Sequence, residues 1–446
     1  MRNIVIIVID TLRADHLSLY GYSKRTSPNI DGLAEESLVF DRAFAAGIPT
    51  VPAITTLLTG LHPFCHGIVC HMGPNAILSE QILLLPQLLK KGGYTTVAVD
   101  NLVVHRGGKA SWFARGYDQY SGFVYQPFTN QSEELTNRVL KYLHQYADEP
   151  LFLFVHYWDP HAPYSPTPPY DTMHYVVGSP RESMAQIRSI SPSYYDVYLN
   201  DMKLKHPDDY AYVVAQYDGE ISQVDAQVGR IVRELKGMGA WDKTLLMVVA
   251  DHGECFGEGN FYFDHHGLYD AVTRVPMVMH VPGFAARRVS ALISTEDVVP
   301  TLAELADVQL PSYPLSGVKM PIEDGSPGLR DYVVSIESTR QASMGLRTYD
   351  RKIIHPVVAD YQGNPLPDFY GHPRDPQDGV FNVRDVGVDV DLSQTPEGVT
   401  TLEELQRKMY AWERSMLGGH PSPIAVQGLS LPYDKFVERI INRPRS

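Results

Sequence analysis

The chain has 446 residues, of which 44% are hydrophobic and 20% charged, with 27 Tyr and 15 Phe. This is globular composition with length for two or three domains of about 150 residues; it excludes a peptide hormone, a disulfide mini-protein, a coiled coil and a disordered chain. Lys plus Arg number 38 against 52 Asp plus Glu, a net charge of −14, opposite in sign to the field a phosphate-tracking protein needs, so nucleic acid is not expected as a partner.

The first element is a run of six apolar residues, Ile4 to Ile9, ending at Asp10. It is too short for a signal peptide or a transmembrane helix, so no membrane association is expected and the location read from it is cytoplasmic, unless the numbering starts from a processed chain. Its unbroken β-branched character suits a strand covered on both faces in the middle of a parallel sheet. A weaker strand follows at Thr95 to Val99. Ser132 to Tyr146 reads as a helix with Leu135, Val139, Leu140 and Leu143 on one stripe. Leu151 to Val155 is the second strong strand. Pro160 to Pro192, rich in Pro and Tyr, reads as a long loop near the site, too polar and proline-dense for core. Tyr210 to Leu235 is helical, Leu245 to Val249 is the third strong strand, and Val275 to Val281 a weaker one.

This alternation predicts an α/β fold with a doubly wound, mostly parallel sheet. The three strong strands end in Asp10, in His156-Tyr157-Trp158-Asp159 and in Asp251-His252, and open α/β sheets place their sites beyond the carboxyl ends of the strands. From 326 the pattern changes. Short strands at Asp331 to Ile336, Ala342 to Thr348 and Lys352 to Ile354, a loop from Val357 to Ser393 and an amphipathic helix at Thr401 to Met416 predict a smaller α+β domain over 326–446, after a catalytic domain over 1–325. Cys65, Cys70 and Cys255 form no Cys-x-x-Cys pair and read as reduced thiols.

Three places carry chemistry: Asp10, the threonine-rich stretch Pro49 to Gly60, and Asp251-His252-Gly253-Glu254. Carboxylates and an imidazole at strand ends form a ligand set for one divalent cation, Mg²⁺, Mn²⁺, Ca²⁺ or Zn²⁺. A threonine hydroxyl at a helix start beside that cation is a candidate nucleophile, because it is almost never ionised near neutral pH without a metal or a base. The helix N-terminus would add donors for an anionic substrate.

The succession strand-Asp-x-Leu-Arg, Pro-x-x-x-x-Leu-Leu-Thr-Gly over Pro52 to Gly60, His156 to Tyr164 with its Pro160-His161-x-Pro163-Tyr164, and Asp251-His252-Gly253-Glu254 resembles the sulfatase branch of the alkaline phosphatase superfamily. Leu85-Pro86, Gly93-Tyr94-x-Thr96, Tyr269-Asp270, Arg274-Val275-Pro276 and Leu346-Arg347-Thr348 extend it over nearly the whole chain. The resemblance implies an alkaline-phosphatase-like core, a metal-assisted covalent mechanism and a smaller C-terminal domain. It also exposes departures. Where sulfatases carry Cys-x-Pro-x-Arg, or a serine start, this chain has Thr50-x-Pro52-x-Ile54, and formylglycine cannot be made from threonine. Threonine is the nucleophile in related branches that act on phosphoryl groups. The sulfatase Asp-Asp is Asp10-Thr11 here, and the family's first active-site lysine is absent, with Asp100-Asn101-Leu102 in its place.

The resemblance thus implies Asp10, Thr50, Asp251 and His252 as holders of one divalent metal, with a second cation not favoured, and Thr50 as nucleophile. It puts His156, Asp159 and His161 on the loop that contacts the transferred group, His266 near the second lysine as leaving-group acid, and Asn101 as a donor to substrate. The expected activity is metal-dependent hydrolysis of a small phosphate or phosphonate ester through a phosphothreonine. The alternatives are a sulfatase without formylglycine and an inactive anion-binding relative. The blander reading of Thr50 is a helix N-cap; of Asp218, Glu220 and Asp225, solvated or buttressing groups on a helix; of Cys255, packing. The composition is compatible with a homo-oligomer.

Overall fold

The computed structural model describes residues 3–71, 77–105, 110–122, 131–176, 184–190, 195, 199, 204–374, 377, 379–383 and 389–431. Its larger sheet has nine strands. Asn3–Ile9 lies at the centre, wholly buried, and pairs in parallel with Leu151–Tyr157 on one side and Thr244–Ala250 on the other. Thr95–Val99 and Gln119–Ser121 extend the parallel arrangement beyond Leu151–Tyr157. The three central strands are almost wholly apolar because helices cover both faces, among them Ser132–Gln145 and the long Tyr210–Gly237, whereas Gln119–Ser121 at the edge is polar and partly exposed.

The other edge differs from a parallel continuation. Val275 to Val281 is split into Arg274–Val275 and Met277–His280, both antiparallel to Leu38–Phe44, and Met277–His280 is also antiparallel to Thr244–Ala250. Leu38–Phe44 and its parallel partner Arg287–Ser294 were not evident in the sequence. Asp41-Arg42 interrupt the first and Arg287-Arg288 begin the second; their cross-strand partnership, Arg288 Nε to Asp41 Oδ1 at 2.8 Å, accounts for charges within strands.

Two expected loops contain more structure. In Pro160 to Pro192, Ala162 and Tyr164 are buried, the Tyr164 ring standing edge-on to Tyr217 at 5.5 Å, so this end of the segment is core; 177–183 and 191–192 lie outside the described residues. Within Val357 to Ser393, Gly379–Asn382 and Val390–Asp391 are strands, while 375, 376, 378 and 384–388 lie outside the described residues. They join a six-stranded sheet with Arg351–Pro356, Ala342–Arg347, Val333–Ser338 and Gly47–Ile48. The last strand comes from the first part of the chain. Ile336 and Glu337 pair with Gly47 and Ile48, so this second sheet fixes the backbone two residues before Thr50. Pro396–Leu417 is the predicted amphipathic helix, longer at its start than the apolar stripe suggests because Thr395 caps it by accepting from Gly398 N, and a short helix, Pro423–Gln427, follows it.

Asp270 ties the two sheets together. Its carboxylate lies 3.1 Å from Arg347 Nη2 and 3.0 Å from Lys352 Nζ, all three residues buried. Burial alone would raise the Asp270 carboxyl, but Lys352 and Arg347 pull it below the ordinary carboxylate range. Asp270→Ala would leave two cations buried without this partner, and we expect a loss of about 3–5 kcal/mol in urea unfolding, whereas a change under about 1 kcal/mol would contradict the role.

Candidate active site

The carboxyl ends of the central strands converge as their order predicts. Asp10 follows Asn3–Ile9 and is held in position by a turn in which Thr11 adopts φ 53°, a conformation non-glycine residues rarely take. Three contacts secure it: Thr11 N donates to Asp251 Oδ1 at 3.2 Å, Tyr217 Oη donates to Thr11 O at 2.7 Å, and Arg13 N donates to Tyr217 Oη at 2.9 Å. Asp251 and His252 follow Thr244–Ala250. There Gly253 is obligatory, since a Cβ would come within 2.0 Å of the Ala271 carbonyl oxygen.

Thr50 opens the helix Thr50–Thr59, whose N-cap is Pro49. Its hydroxyl is therefore not spent as a cap. Oγ1 instead lies 3.4 Å from Asp10 Oδ2 and 3.3 Å from His252 Nε2, with the residue fully buried. His252 Nδ1 donates to Gly253 O at 3.0 Å, which leaves Nε2 with its lone pair facing the carboxylates, 3.3 Å from Asp251 Oδ2 and 3.9 Å from Asp10 Oδ1.

Asp10 Oδ1 and Asp251 Oδ2 are buried with no hydrogen-bond donor. Burial, then the charge of Asp10, pushes Asp251 up to about 6 despite His252 and His156. Two buried carboxylates with unpaired oxygens and an imidazole lone pair, their ligand atoms grouped within 4.8 Å, with the Thr50 hydroxyl 3.3–3.4 Å from His252 and Asp10, suit one divalent cation.

His156 lies between two carboxylates, Nδ1 at 2.7 Å from Asp100 Oδ1 and Nε2 at 3.4 Å from Asp10 Oδ2. Burial would strip its proton, but Asp10 and Asp100 outweigh it and raise the imidazole to about 10, so it is a fixed cation. Burial alone would raise Asp10; the His156 bond and the nearby His161 and His252 lower it. Asp100 is thus a site residue that sequence reasoning passed over, although it follows Thr95–Val99 at the same sheet edge. In that turn Asn101 directs Nδ2 to Gln131 Oε1 at 3.1 Å, while Asp100 reaches His156.

His161 donates from Nδ1 to Ala162 O at 2.6 Å, and burial lowers the pKa of its ring. Its ring centroid is 5.0 Å from that of His265, a second residue not singled out from sequence, which stacks on His252 at 4.8 Å. His266 lies with its Nε2 3.8 Å from Asp264 Oδ1 and its Nδ1 3.4 Å from Glu337 Oε2.

Asp159 is placed differently from the expected substrate contact. It is buried against Ser132 and Glu220; burial pushes it up to about 7, and raises Glu220 too, with Asp159 adding to that rise. Glu220 accepts from Ser165 N at 2.7 Å, so the pair fastens the His161 loop to the long helix. A carboxyl raised in the folded state binds its proton more tightly there than in the unfolded chain. Stability is therefore full below the ordinary carboxylate range and is lost as pH rises to about 7. Asp159→Asn, neutral throughout, should be more stable than the native chain at about pH 8, by on the order of 2–4 kcal/mol at most, with the gap narrowing as pH falls and closing only below about pH 4. Scanning fluorimetry checks this, and an equal gap at both pH values would refute it.

Residues 2–308 match the family model described as Sulfatase. Human N-sulphoglucosamine sulphohydrolase is 29% identical over 309 residues, 67% of this chain and 60% of that protein, so the match spans about three-fifths of the relative's length. The arylsulfatase of Clostridium perfringens (strain 13 / Type A) is 24% identical over 402 residues, 74% of this chain and 80% of the relative. Among solved structures, the phosphonate monoester hydrolase of Agrobacterium radiobacter superposes with a TM-score of 0.75 at 22% identity, covering 94% of this chain and 96% of that one.

Proposed function

The chain belongs to the sulfatase family of the alkaline phosphatase superfamily, and from that premise we propose that it hydrolyses a phosphate or phosphonate ester through a covalent phosphothreonine at Thr50. The observation that carries this reading is the Thr50 hydroxyl: buried, uncommitted to capping, and 3.3–3.4 Å from His252 Nε2 and Asp10 Oδ2. A divalent cation held by Asp10, Thr50, Asp251 and His252 would supply Lewis-acid polarisation of the nucleophile and of the ester oxygens.

The residues then divide the work. Thr50 Oγ1 passes its proton to Asp10 Oδ2, 3.4 Å away, and attacks phosphorus as the bond to the leaving oxygen breaks. His156, held cationic between Asp100 and Asp10, stabilises the negative charge on the nonbridging oxygens. The proton for the leaving oxygen comes from a neighbouring histidine, His161 or His266. Water then cleaves the phosphorus–Oγ1 bond and restores the threonine.

The fold does not choose the ester, since similar structures include phosphonate monoester hydrolases and sulfatases. Similarity to N-sulphoglucosamine sulphohydrolase and an arylsulfatase supports a second reading, sulfate-ester hydrolysis without formylglycine. Metal-reconstituted protein assayed on aryl phosphate, phosphodiester, phosphonate and sulfate esters separates them. Turnover of phosphorus esters is expected, and turnover of sulfate alone would overturn the proposal.

A further inference from the structure

A second group of ligating side chains adjoins the first. Asp264, His265 and His266 bring one ligand atom each within 4.8 Å of one another, and all three residues are buried. Asp264 Oδ1 is 3.7 Å from His265 Nδ1 and 3.8 Å from His266 Nε2. A fourth atom adjoins this group at His265: Glu254 Oε1, fully buried and without a hydrogen-bond donor, lies 3.9 Å from His265 Nδ1. The other oxygen of Glu254 accepts from Tyr164 Oη at 3.0 Å, so the carboxylate is anchored with Oε1 left over. We propose that Asp264 Oδ1, His265 Nδ1, His266 Nε2 and Glu254 Oε1 hold a second divalent cation beside the one at Asp10, Asp251 and His252.

Separations of 3.7–3.9 Å between neighbouring ligand atoms are close to the edges of a small coordination polyhedron, so modest inward movement completes it. Two imidazoles with two carboxylates favour a borderline ion such as Zn²⁺ or Mn²⁺ over Mg²⁺ or Ca²⁺. The surroundings orient the ligands as metal sites require. Arg340 Nη1 donates to Asp264 Oδ2 at 2.6 Å and His265 N to Oδ1 at 2.8 Å, which fixes the carboxylate, and the Glu337 carboxylate lies 3.4 Å from His266 Nδ1. His265 stacks on His252 with centroids 4.8 Å apart, so the two sites share a wall. His266 as a ligand cannot donate the leaving-group proton, which then falls to His161.

The inference rests on the proposed function for its first site, and metal stoichiometry tests the two separately. Apoprotein equilibrated with Zn²⁺, desalted and measured by plasma mass spectrometry should hold about two equivalents per chain, falling to about one in His265→Ala/His266→Ala and to about one in Asp251→Ala/His252→Ala. One equivalent in the native chain, retained in His265→Ala/His266→Ala, overturns the second site. One equivalent lost only in that variant keeps this site and overturns the Asp10 assignment instead. Should the variants fail to fold, anomalous scattering from zinc-soaked crystals of the native chain decides: a peak among Asp264, His265 and His266 supports the site, and its absence refutes it.

Discussion

Replacing Thr50 with alanine is expected to lower kcat/KM by on the order of 10⁴–10⁶-fold while leaving the fold intact, as loss of a nucleophile does in other covalent hydrolases. The structural cost is small because the N-cap position is Pro49, not Thr50, and among the described residues the hydroxyl makes two long contacts, to Asp10 and His252. Alanine also carries the higher helix propensity. Thr50→Ser keeps an oxygen at the same point and should retain most of the activity, which separates loss of the nucleophile from loss of packing. Acid-quenched native enzyme should yield a phosphorylated peptide containing Thr50, and the alanine variant none. Undiminished turnover in the alanine protein would remove Thr50 from the mechanism.

Thr50 also shows how far the sequence reaches. Strand ends are legible because a buried apolar run announces its own termination in a polar residue, which is how Asp10, His156 and Asp251 stand out. Asp100 obeys the same rule, but Thr95–Val99 is a weaker apolar run and the asparagine beside it drew attention away. Placement across the sheet edge is another matter. His161 lies far in sequence from His252 and His265 and becomes their neighbour only when the His156 loop and the segment after Asp251 fold over one crevice. The role of Asp159 turned on Glu220, 61 residues away on a helix whose acidic residues read as solvated or buttressing until their burial is known. Likewise, Gly47–Ile48 is too short to declare itself a strand, yet its pairing with Val333–Ser338 joins the second sheet to the base of the helix Thr50–Thr59.

Stripping divalent cations should reduce turnover to background and lower the melting temperature, and the size of the second effect should depend on pH. Without a cation, Asp251 confronts Asp10 across a buried space, and its carboxyl rises to about 6. Below that value Asp251 takes a proton and the repulsion is relieved; above it the fold carries an extra buried charge, so stability is lost as pH rises through about 6. A cation satisfies Asp10 Oδ1 and Asp251 Oδ2 together and competes with that proton. The stabilisation gained on adding Mn²⁺ or Zn²⁺, about 2.7 kcal/mol at a hundred times Kd, should therefore be larger at about pH 7.5 than at about pH 5. Asp10→Asn removes one of the facing carboxylates and should abolish both the part of the gain that belongs to this site and the turnover, while raising the melting temperature of the stripped protein near neutral pH because Asp251 no longer faces a second charge. If cations shifted the native and Asp10→Asn proteins equally, the contribution of Asp10 to binding would be refuted, and the nucleophile would need another source of activation.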